Sequence, residues 1–177
     1  MELTGRRIRE AARAYPRQDR VDFEEEERQL DVLPIAFAEG TWTWEDLEWV
    51  VGWKSNRVIP DFRMNDTELA EDTVRRTLER QSVVEKVETL QNNLHGVGVP
   101  VASALLLFMD PIAYTVLDER AWSALQVAGH LDTELSETPT VDEYLMYLGV
   151  CHTLANEIDV ELRTLDRGLW VLSKNFD

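Results

Sequence analysis

Apolar residues recur along this chain at spacings of three and four, the pattern of helices that bury one face. Phe23, Leu30, Leu33 and Phe37 share one side of a helix predicted over residues 22–38. Pro34 would kink or split it, because proline removes a backbone donor and crowds the preceding turn. Thr43 is a good N-cap for a helix from Trp44 to about Lys54, with Glu45 and Asp46 suited to its positive end. Asn65 or Thr67 caps the next helix, through DTELAEDTVRRTLER, with a break near Gln81–Ser82. Residues 83–93 and 99–109 are predicted as two helices around a Gly-x-Gly turn. Asp110–Pro111 ends the second, since the residue before proline avoids helical backbone. Helices over 118–128, 140–157 (capped by Thr140) and 159–173 complete the pattern. A short arginine-rich helix, with Arg6, Arg7, Arg9 and Arg13 clustered, opens it over residues 4–15 and stops before Pro16. No segment alternates with the period of a strand. The expectation is one all-α domain over residues 1–177, without repeats or low-complexity linkers.

Composition supports a packed core: 44% of the 177 residues are hydrophobic and six are tryptophan, more than a disordered chain would carry. The longest apolar run, ASALLLFM, falls far short of the roughly 20 residues of a membrane span. The opening MELTGRRIREAARAY has no apolar signal core, so a cytoplasmic location is expected. The single cysteine, Cys151, excludes an intramolecular disulfide and a four-cysteine iron–sulfur cluster. No zinc-type spacing and no nucleotide phosphate loop occurs, so neither metal nor cofactor is expected.

Charge complicates a nucleic-acid reading. The formal net charge is −16, with three lysines (Lys54, Lys86 and Lys174) against fifteen arginines. An acidic, lysine-poor surface suits a halophilic source, where the Debye length falls to about 3 Å and general repulsion is screened. The same charge also suits an acidic protein that never meets DNA.

The densest chemical signal is residues 94–118, LHGVGVPVASALLLFMDPIAYTVLD. Gly96 and Gly98 allow a tight turn, and exposed N–H groups at the start of the following helix can receive an anion. Small Ala102 and Ser103 let two helices pack closely behind that turn. This stretch resembles the helix-hairpin-helix of the DNA-glycosylase superfamily that includes endonuclease III and adenine glycosylase. The resemblance implies a two-lobed helical domain whose turn, Leu94, His95, Gly96, Val97 and Gly98, grips duplex DNA. It implies a cleft lined by residues 53–57 and 118–122, and a catalytic carboxylate at Asp118. Asp118 lies eighteen residues after the slot that holds a lysine in bifunctional members; here the slot holds Pro100. Proline offers no amine, so Schiff-base lyase action through that position is excluded.

Other residues admit two readings each. Asp118 also suits the N-cap of the helix that follows. Trp53, Lys54 and Arg57 form an aromatic platform with two cations able to stack a base and hold phosphate, whereas Trp49 and Trp53, four apart, equally suit a core face. Lys54 is an amine that could replace the missing nucleophile from another direction. Arg120 either orients Asp118 or meets a phosphate, and His95 either touches phosphate or is solvated. Cys151 and His152 point about 100° apart on a helix, which leaves a buried thiol rather than a nucleophile–base pair. The run Glu24–Glu27 is read as a solvated helix face. Three functions are open: a monofunctional DNA N-glycosylase without lyase activity; a non-catalytic DNA-binding module; and an acidic helical domain acting through protein contacts, a homodimer among them.

Overall fold

The computed structural model describes residues 1–18 and 22–174, all of it helix, turn and loop. In order, the helices are α1 (Gly5–Ala12), α2 (Phe23–Glu39), α3 (Trp44–Lys54), α4 (Ile59–Phe62), α5 (Thr67–Glu79), α6 (Val83–Asn93), α7 (Val99–Met109), α8 (Glu119–Val127), α9 (Val141–Glu157) and α10 (Leu162–Ser173). Short 3-10 turns follow α1 at Tyr15–Arg17 and α3 at Asn56–Val58.

Side chains written into the sequence start several of these helices. Thr43, Ser82 and Thr140 each accept from the N–H three residues on, and Asp46, Glu85 and Glu143 reach back to the cap N–H. Each reciprocal pair satisfies donors that a helix start leaves unpaired. The cap of α5 is Asp66, beside the two expected candidates. Pro34 does not split α2, which runs unbroken through it. Leu33 and Phe37 are buried on either side of the proline, and α2 packs on α7. The segment 56–62, left without a helix by its apolar spacing, holds the short α4, with Pro60 in its first turn, where proline costs little.

α7 is apolar all round and is therefore buried all round. Val99 and every residue from Val101 to Met109 are buried, with α2, α3, α6 and α9 packed about them. Each fully buried Leu or Phe there contributes roughly 1.5–3 kcal/mol. α10 is the second organising helix and packs on α1, α8 and α9. No described helix is long and apolar enough to cross a membrane.

Candidate functional site

The end of α3 and the start of α8 meet through one ion pair. Lys54 Nζ donates to Asp118 Oδ2 at 3.0 Å. The other oxygen, Oδ1, accepts the Arg120 backbone N–H at 3.0 Å and so caps α8. One carboxylate thus serves as helix cap and as partner of a lysine. Side-chain exposure is only 14% for Lys54 and 25% for Asp118, so their attraction is less screened than at the surface. Burial by itself would raise the Asp118 carboxyl. The Lys54 ammonium and the N–H groups of Arg120 and Ala121 outweigh it and hold the group below its ordinary value.

Two cavities meet at this pair. An outer cleft of about 640 Å³ is lined by Lys54, Arg57, Gly96, Gly98, Pro100 and Asp118, with the 135–139 loop opposite. An inner pocket of about 230 Å³ is walled by Tyr15, Trp53 and Trp170, with Glu26, Arg163 and Asp166 among its polar groups. Roomier depressions of about 890 and 770 Å³ lie beside α5 and along α3; neither has a buried lysine–carboxylate pair among its lining residues.

The turn between α6 and α7 is fixed by Asn65. Its Oδ1 accepts the His95 N–H at 2.8 Å, and its Nδ2 donates to the carbonyls of His95 at 3.0 Å and Phe62 at 2.7 Å. Gly96 has φ +75°, and a Cβ there would lie 2.8 Å from the Phe62 nitrogen. Its glycine is therefore needed for close approach of the turn to α4. Leu94 and Val97 are buried, His95 is exposed, and Gly98 is open: a Cβ there would touch only Pro100, at 3.9 Å. α7 begins at Gly98 without a side-chain cap.

Of the residues singled out in the sequence, Lys54, Arg57, Gly96, Gly98 and Asp118 line the outer cleft together. Trp53 does not line it. Its ring meets Phe108 edge-on at 5.0 Å, and its Nε1–H donates to Glu26 at 3.2 Å, so it is a wall of the inner pocket. Trp49 meets the same phenylalanine at 5.3 Å, as a shared core face requires. Arg120 is exposed, with its guanidinium 5.8 Å from the centre of the Trp170 ring. Cys151 is buried, and His152 Nε2 lies 2.8 Å from the Ala113 carbonyl oxygen.

The acidic run of α2 departs from expectation. Glu24 and Glu27 are exposed, but Glu26 is only 1% exposed. It accepts from the Tyr15 hydroxyl at 2.9 Å and from Arg163 and Arg167. The signal was legible: Glu26 falls four residues before Leu30, on the stripe that continues through Leu33 and Phe37. Arg163 also pairs with Asp166 one turn along α10. Burial pushes the Asp166 carboxyl up to about 6, reinforced by the Asp118 and Glu26 carboxylates and only partly opposed by Arg163 and Lys54. Glu26 goes the other way: its two arginines overcome burial and keep it below the ordinary value.

Among the described residues no cluster of histidine, cysteine and carboxylate side chains is arranged to hold a metal ion. Comparison with protein-family models, with curated proteins and with solved structures finds no match to this chain.

Proposed function

We propose that the chain is a DNA-binding protein of the DNA-glycosylase type, acting as a monofunctional glycosylase with Asp118 as its catalytic carboxylate. In this reading α6, the 94–98 turn and α7 serve as a helix-hairpin-helix that meets the duplex backbone. The observation that carries it is the Lys54–Asp118 pair at the junction of the outer cleft and the inner pocket. Arg57 and the open Gly98 line the same cleft, which puts a cation and a helix start near the ionised carboxylate.

The chemistry follows from that carboxylate. An extruded nucleotide would lie in the cleft with its base toward the inner pocket. When the C1′–N bond breaks, its electron pair leaves with the base and the sugar becomes oxocarbenium-like. The ionised Asp118 steadies that cation and accepts a proton from the water that adds to C1′; the proton then passes to the nitrogen of the departed base, which returns Asp118 to its ionised form. Lys54, as the proton-bearing donor in its pair, keeps Asp118 charged. Pro100, at the start of α7, supplies no amine, so this reading stops at base release.

The test is release of free base, read by mass spectrometry, from duplexes carrying a panel of damaged and mismatched bases. Asp118→Asn is expected to cut release at least about 100-fold, since an amide neither takes the proton nor neutralises the cation. Asn caps a helix about as well as Asp, but it leaves Lys54 without its counter-charge, so the thermal midpoint should fall while circular dichroism shows the fold kept. Equal release by wild type and variant, or none by the wild type across the panel, overturns the reading.

A further inference from the structure

The first 18 residues hold five arginines, Arg6, Arg7, Arg9, Arg13 and Arg17, against Glu2 and Glu10, in a chain of formal charge −16. All five are exposed. α1 is docked by its other side: Ile8 is buried, and a Cβ on Gly168 of α10 would lie 2.8 Å from the Ile8 carbonyl oxygen. Arg6, Arg9 and Arg13 are three and four residues apart and therefore share one face of the helix.

The fold makes little use of these charges. Arg6 pairs with Glu10 at 2.8 Å, both side chains more than half exposed, which is a weak contact in water. Arg9 donates to the Asp159 carbonyl at 2.8 Å. Among the described residues Arg7, Arg13 and Arg17 make no ion pair within 4 Å, and Arg13 acts on Glu10 only through space. Tyr15, in the turn after α1, walls the inner pocket beside Asp118, and Arg13 and Arg17 flank it in sequence.

We propose that the exposed face of α1 and its following turn is a docking surface for a nucleic-acid backbone that runs from the Asp118 cleft onto this helix. The path of the strand rests on the glycosylase-type reading above; the contact itself rests on α1. Guanidinium groups can donate two parallel hydrogen bonds to one phosphate, and arginine is the cation concentrated here. Against an otherwise acidic molecule, clustered arginines give a polyanion a place where attraction exceeds repulsion. A second copy of the chain fits less well, because each copy brings the same −16 to the encounter.

The experiment is fluorescence anisotropy with labelled duplex and single-stranded DNA of about 20 nucleotides, titrated over a range of KCl. It compares wild type, a variant with Arg6, Arg7, Arg13 and Arg17 all changed to Gln, the same four changed to Lys, and Gly98→Glu in the cleft. The Gln variant is expected to bind about tenfold or more weakly and to lower the log–log salt slope on duplex by up to about 3.6, since each lost phosphate contact removes about 0.9. The Lys variant should keep most of the slope, and circular dichroism should show equal helix in all. A Gln variant that binds like wild type overturns the inference; loss of binding in Gly98→Glu would then leave the cleft reading standing. Binding through α1 by a wild type that releases no base separates the two the other way. Failure of the wild type to bind either DNA overturns the inference, as does salt-sensitive self-association abolished by the Gln changes without DNA binding.

Discussion

Asp118 and Asp166 are the same side chain set to opposite purposes by what surrounds them. Asp118 has a lysine and helix N–H groups, and stays below its ordinary value. Asp166 has Arg163, but it is buried with two further carboxylates nearby and is pushed up to about 6. Pairs of acids driven apart in this way suit acid and base roles in one site. The linkage has a definite sign. A carboxyl raised in the folded state contributes most stability below its unfolded value, near 4, and loses it as pH rises through the folded value. Wild type should therefore lose stability relative to Asp166→Asn between about pH 4 and 7, then run parallel to it above that range. Urea midpoints at a series of pH values read the difference directly. A constant difference across that range would show that Asp166 titrates normally.

At the scale of helices, spacing and capping carried most of the information. Thr43 and Thr140 cap where their residue types suggest, and α3, α6 and α7 begin and end where the apolar spacing does. What escaped was set by contacts distant in sequence. Asn65 offers a helix cap by type, yet it is buried and bonded to His95, a partner thirty residues away. Glu26 lies on the apolar stripe of α2, but the donors that make its burial tolerable, Tyr15, Trp53 and the arginines of α10, come from other elements. The candidate site was legible as a set of residues, Lys54, Arg57, Gly98 and Asp118, but not as an ion pair, because helix-to-helix distance is not written in local spacing. Pro34 gives this scale its own prediction. It interrupts the hydrogen bonding of α2 while Leu33 and Phe37 hold the helix in place. Pro34→Ala restores a backbone donor and should stabilise the fold by about 1–2 kcal/mol, the helix gain being partly offset by a freer unfolded chain. A lower denaturation midpoint in the variant would mean the proline ring is needed for packing against its neighbours.

The whole molecule is governed by its charge. Eighteen basic residues face thirty-four acidic ones, and few of the acids are neutralised within the fold as deeply as Glu26. Repulsion among the remaining surface carboxylates works against the compact state, and salt shortens its reach: the Debye length drops from about 10 Å at 0.1 M to about 3 Å at 1 M. The buried pairs, Lys54–Asp118 and Arg163 with Glu26, are screened far less and should persist. The thermal midpoint is therefore expected to rise as KCl increases from about 0.1 M to about 2 M. Affinity for a polyanion should fall over the same range, because the counterions that phosphate contacts release gain less entropy in concentrated salt. The two responses have different origins and can be read from one KCl series by melting and anisotropy. A midpoint that is highest in dilute buffer would show that the acidic surface does not limit stability, and with it the expectation of a halophilic source would fall.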